Sequence, residues 1–123
     1  MSDKYSHGQI IWRDLTVTDV DSVKSFYESV VGWQMSPHDK SETPDYDVLL
    51  KETKEIISGI CRKTGINGDL PSVWLNYIYV DDVKSSIDSC IKKGGHVLIE
   101  RKMGTSDFAL LKDPSGAIFV IIH

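Results

Sequence analysis

The sequence predicts an α+β fold: two tandem βαβββ modules whose mixed strands form a curved sheet around a cleft, with both helices on the outer face. Three observations predict it. Asp19-Val20-Asp21-Ser22-Val23 and Asp82-Val83-Lys84-Ser85-Ser86 each follow an apolar run and open a helical pattern. Asp19 and Asp82 are 63 residues apart, and so are Gly32 and Gly95, which close the two patterns. A period held at two anchors is the mark of a duplicated folding unit. The third observation is the order of elements, which is the same in both halves.

Ile10–Val17 is rich in β-branched residues and reads as a strand. Thr18 and Asp21 have capping-box spacing, with Asp19 as the alternative N-cap. Val20, Val23, Phe26, Tyr27 and Val30 recur at helical spacing and predict one apolar face. Gly32 suits the C-terminal stop. Trp33–Ser36 reads as a short strand, and the polar stretch Pro37–Pro44 as a loop, either a hairpin tip or a flap. Asp45–Leu50 and Glu55–Cys61 complete the first module. Thr64–Pro71, with two glycines and a proline, is the linker.

The second half repeats this order. Ser72–Val80 is a strand, and Val83, Ile87, Cys90 and Ile91 form the buried face of a helix that Gly94-Gly95 ends. Two further strands run over 96–100 and 108–111. Asp113-Pro114-Ser115-Gly116 matches a type I turn, and Ala117–Ile122 is the closing strand. The expectation is one domain over 1–123, with modules at about 8–63 and 72–123 and a linker at about 64–71.

A net charge of −4 argues against a duplex nucleic-acid binder. Arg101 and the other scattered cations read as solvated surface. The polar first nine residues predict no signal peptide. The longest apolar run has six residues, far short of the roughly twenty that span a bilayer, so no membrane partner is expected. Cys61 and Cys90 lack metal-like spacing and read as buried structural thiols of a cytoplasmic protein.

Several segments together resemble the vicinal oxygen chelate superfamily, which holds glyoxalase I, extradiol dioxygenases, and fosfomycin- and bleomycin-resistance proteins. They are residues 12–19, Phe26-Tyr27, Val31-Gly32-Trp33, residues 79–83, Gly94-Gly95 and Asp113-Pro114-Ser115-Gly116. The resemblance implies a divalent metal held by His, Gln or Glu at positions that fall here on Trp12, Leu75, Val120 and near Ile57 or Ser58. None of Trp12, Leu75, Val120 and Ile57 offers a metal donor. The expectation is therefore no metal and no cofactor.

Strand alternation places Trp12, Asp14, Leu75, Tyr77, Tyr79, Ile118 and Val120 toward the cleft. These are the candidate ligand-binding residues, apolar and aromatic with few polar handles. The resulting expectation is a metal-free small-molecule-binding protein, like the bleomycin-resistance branch: a homodimer taking an aromatic or cationic organic ligand. One alternative is a glyoxalase-like lyase or dioxygenase with a non-standard metal site drawn from His7, His38, Glu100 and His123. The other is a non-catalytic interaction or regulatory domain. No residue is assigned a catalytic role.

Overall fold

The computed structural model describes residues 4–123, leaving aside the side chain of Met103. It contains β1 (Ile10–Val17), α1 (Val20–Val31), β2 (Gln34–Pro37), β3 (Tyr46–Leu49), β4 (Ile56–Arg62), a 3-10 turn (Gly65–Asn67), β5 (Trp74–Tyr79), α2 (Val83–Lys92), β6 (His96–Met103), β7 (Ser106–Lys112) and β8 (Ile118–Ile122). Two helices and eight strands in mixed pairing make the α+β fold that the sequence predicts.

Arg13–Trp74 forms one compact unit. Its strands run in the order β2-β3-β4-β1, with β1 parallel to β4 and the other pairs antiparallel. Leu15, Val17, Val48 and Ile60 face Val20 of α1 and build its core. Burying each such side chain contributes about 1.5–3 kcal/mol. Asp19, not Thr18, caps α1: its carboxylate accepts the Ser22 amide at 3.1 Å. Gly32 closes the helix at φ 72°, a conformation that costs glycine little. The apolar face of α1 is narrower than the spacing suggests. Phe26 and Val30 are 57% and 60% exposed. At 100° per residue they fall to one side of the line through Val20, Val23 and Tyr27.

The second unit joins the chain up to Trp12 with Leu75–His123. Its strand order is β5-β8-β7-β6. The N-terminal arm belongs here because it pairs with the end of β5. The Gly8 amide donates to the Tyr79 carbonyl at 2.7 Å, and the Tyr79 amide to the Gln9 carbonyl at 2.8 Å. Ala109, Leu111 and Ile121 pack under Val83 and Ile87 of α2. Ile91, expected on the buried face, is exposed. Asp82 caps α2 through the Ser85 amide, so the two capping aspartates do the same work 63 residues apart. The predicted turn before β8 forms around Asp113, whose carboxylate accepts from Ser115 and from the Ala117 amide. Those hydrogen bonds, that of the Ser115 side chain first, hold its carboxyl below the usual aspartate range.

Candidate functional site

Six of the seven candidate ligand residues lie in the unit that contains β5–β8. Tyr77 sits opposite Val120, and Val120 opposite Leu110. Alternation puts these on the face away from α2, since Ala109 and Ile121 face the helix. Leu75 and Val120 are both 0% exposed and Tyr79 is 4% exposed, so these three form a floor. Trp12, Tyr77 and Ile118 are half-buried. The Tyr79 ring lies 5.5 Å from Tyr5 and 5.2 Å from His123. Its buried hydroxyl has no hydrogen-bond partner among the described residues.

Sequence reasoning missed a pair on this face. Arg101, read as solvated surface, is half-buried with its guanidinium 5.0 Å from the Phe108 ring centroid. Phe108 also lies 6.0 Å from the Tyr77 ring. The signal was the Gly104-Thr105 turn, which joins β6 to β7 and pairs Arg101 with Phe108 directly. Arg101 and Phe108 help line a groove of about 600 Å³ with Asp82, Val83, Lys84, Glu100, Lys102 and Asp107.

Asp14 lies in the other unit, beside Gly59 of β4. Its Oδ1 comes within 2.7 Å of where a Gly59 Cβ would stand, so only glycine leaves the carboxylate its place. Asp47 flanks Gly59 from β3. The Asp47 carboxylate is 2.9 Å from His38 Nδ1, and this hydrogen bond raises the imidazole above its ordinary pKa. Burial, helped by Asp14, Asp45 and Asp47, pushes the Cys61 thiol up to about 12. It is a protonated thiol at neutral pH and a poor nucleophile. Both cysteines are free.

Two of the other histidines are engaged within the chain. His7 Nδ1 accepts the Asp81 amide at 2.9 Å. His123 Nδ1 donates to the Val80 carbonyl at 2.9 Å. Among the described residues no group of three His, Cys, Asp or Glu is placed to hold a metal ion. Leu75 and Val120, where the resemblance implies ligands, present only buried carbon. The Ser58 hydroxyl is buried in its own unit and has no hydrogen-bond partner among the described residues. The family's usual divalent ion therefore does not fit these residues.

Comparisons with known proteins agree with this fold. Residues 11–122 match the family described as Glyoxalase-like domain. A putative glyoxylase of Mycobacterium tuberculosis is 32% identical over 117 residues, which is 94% of this chain and 44% of that protein. The chain thus spans less than half the length of that relative. A probable lactoylglutathione lyase of Vibrio parahaemolyticus is 28% identical over 127 residues, covering 96% of this chain and 92% of that protein. Among solved structures, a Streptomyces coelicolor methylmalonyl-CoA epimerase in complex with 2-nitronate-propionyl-CoA superposes with TM-score 0.54 at 18% identity, covering 95% of this chain and 94% of its own. A Vibrio splendidus member of the glyoxalase/bleomycin resistance protein/dioxygenase superfamily gives 0.57 at 13% identity, covering 90% and 95%. These structural likenesses show the fold alone. The match over nearly the whole chain places this protein in the glyoxalase-like domain family.

Proposed function

We propose that this chain is a small-molecule-binding protein of the glyoxalase-like family that works without the family's usual metal. The supporting observation is the chemistry of the positions where relatives of this fold would hold an ion. Trp12, Leu75, Val120 and Ile57 have no donor for one, and Leu75 and Val120 are fully buried. In this reading Trp12, Tyr77 and Ile118 touch a flat organic ligand, and Leu75, Tyr79 and Val120 support them from beneath. In this reading the working form is a cytoplasmic homodimer; the exposed Phe26 and Val30 lend support to the dimer alone.

The test is a thermal-shift and binding screen of aromatic compounds, neutral and cationic, run with and without zinc, nickel, manganese or iron(II). The reading expects stabilisation by an aromatic compound that is independent of metal and is lost in Trp12→Ala or Tyr77→Ala. Stoichiometric metal binding that ligand binding requires would overturn it.

The names of the relatives favour a second reading, a lyase or other enzyme of this family. That reading needs metal ligands at other positions. Among the described residues His7, His38, Glu100 and His123 do not come together with other His, Cys, Asp or Glu side chains in a group of three that could hold an ion, which weighs against it. Turnover of the methylglyoxal–glutathione hemithioacetal that is stimulated by metal would establish it.

A further inference from the structure

Tyr79 is 4% exposed, yet its hydroxyl has no hydrogen-bond partner among the described residues. A buried donor in that state weighs against the fold until something supplies an acceptor. Two rings lie against its own, and they are fixed in different ways. His123 is tied to the sheet: its amide and carbonyl pair with Asp107, and its ring donates to the Val80 carbonyl. Tyr5, at 5.5 Å between ring centroids, belongs to the N-terminal arm, whose residues 6–9 are exposed. Arm, Tyr79 and His123 all lie in one compact unit.

The arm is a turn bonded to itself. The Ser6 amide donates to Gln9 Oε1 at 2.9 Å, and the Gln9 amide to the Ser6 carbonyl at 3.0 Å. It meets β5 and the start of α2 through the Gly8 amide on the Tyr79 carbonyl, the Tyr79 amide on the Gln9 carbonyl and the Asp81 amide on His7 Nδ1. A segment with few buried side chains and solvent-exposed hydrogen bonds opens at a lower free energy than the whole domain. Tyr5 gives Tyr79 a ring to pack on and no hydrogen bond. An aromatic molecule that carries an acceptor gives both, so it competes with Tyr5 on better terms.

We propose that the N-terminal arm is a strap that Tyr5 holds shut over Tyr79, and that it gives way to an aromatic ligand of the aryl ketone or aldehyde class, whose carbonyl the Tyr79 hydroxyl selects. This rests on the reading that the face away from α2 takes an aromatic ligand, and adds the polar group that the ligand carries and the segment that it displaces.

The test uses the full chain and has two parts. Hydrogen exchange followed by NMR asks whether the arm opens by itself. The Tyr79 and Asp81 amides donate to the arm, whereas the Val80 amide between them donates to the Ile122 carbonyl of β8. Protection at Gly8, Tyr79 and Asp81 should be at least about ten-fold below that at Val80. Tyr5→Ala should lower it about two- to ten-fold more than it lowers Val80. The second part compares acetophenone with ethylbenzene, which has nearly the same shape and no acceptor, through backbone amide and indole shifts. Acetophenone should bind about five-fold more tightly. Tyr79→Phe should abolish that difference and raise the melting temperature of the free protein. Tyr5→Ala should tighten both compounds about two- to ten-fold. Tyr5→Leu, which keeps apolar bulk and loses the ring, takes its place if circular dichroism shows Tyr5→Ala unfolded. Equal protection at Val80 and its neighbours in wild type and variant would overturn the proposal. So would a lower melting temperature in Tyr79→Phe, or no binding of either compound to the Tyr5 variant. Acetophenone shifting Trp12 and Tyr77 with one affinity in wild type, Tyr5→Ala and Tyr79→Phe would sink this inference alone. A Tyr79-dependent preference for acetophenone, with shifts at residues 5–9 and 79–81 and none at Trp12 or Tyr77, would sink the earlier reading alone.

Discussion

Gly59→Ala tests whether the placement of Asp14 depends on a missing side chain. The added Cβ would stand 2.7 Å from Asp14 Oδ1, whereas ordinary contacts begin near 3.4 Å, so the carboxylate must move by about 0.7 Å. The next neighbour, the Tyr46 carbonyl oxygen at 3.7 Å, is already at ordinary distance, so Asp14 is the one obstacle. The obstacle is the tip of a half-buried side chain, so the cost is that of turning one carboxylate away from its preferred position, about 0.5–1.5 kcal/mol. The same substitution made in Asp14→Ala should cost nothing. It could even stabilise by about 0.4–1 kcal/mol, since alanine reduces the freedom of the unfolded chain. The two effects therefore differ by a coupling energy of about 0.5–2.5 kcal/mol. Urea denaturation of the four proteins in that cycle measures it, followed by tryptophan fluorescence in a Trp12→Phe background, where the signal comes from Trp33 and Trp74 of the Arg13–Trp74 unit that holds Asp14 and Gly59. An equal loss from Gly59→Ala in both backgrounds would refute the reasoning, because the strain would then lie in the backbone and not in the carboxylate.

Ser58, His38 and Cys61 give three further expected outcomes. Ser58→Ala should be neutral or stabilise by about 1 kcal/mol, because the buried Ser58 hydroxyl has no hydrogen-bond partner among the described residues and carries a desolvation cost; a clear fall in melting temperature would contradict this. His38 is raised by its hydrogen bond to Asp47, so the stability that this pair adds is full below the unfolded pKa and is lost as pH rises through the folded one. NMR titration of His38 should show the raised midpoint, and Asp47→Asn should bring it down. Cys61, with its thiol pushed up to about 12, should resist iodoacetamide at pH 8 in the folded protein and react once urea unfolds it, as mass spectrometry of the labelled peptides would show.

How much of this was legible depends on the range of the interaction. Asp19 and Asp82 announce their helices because a capping carboxylate needs only an amide three residues on. Gly32 and the Asp113 turn are local in the same way. The helix faces were only partly legible. Val20 and Val83 are buried as the spacing says, but whether Phe26, Val30 or Ile91 joins them depends on the width of the sheet beneath. Of the seven candidate ligand residues, alternation identified a shared face for Tyr77 and Val120, yet it said nothing of depth. Leu75 and Val120 are a floor and Tyr77 is not, and neighbouring strands decide that.

By itself the sequence determined the α+β order, the two helix starts, the repeat of 63 residues and the lack of metal donors at four positions. Each of these rests on residue identity or on contacts within a few positions along the chain. Only the tertiary structure decided that Arg101 lies over Phe108, that Asp14 occupies the space Gly59 leaves open, and that the N-terminal arm pairs with β5. Those contacts depend on lateral register between strands. Register is set by packing of the whole sheet, and a shift of one residue would send every side chain to the opposite face.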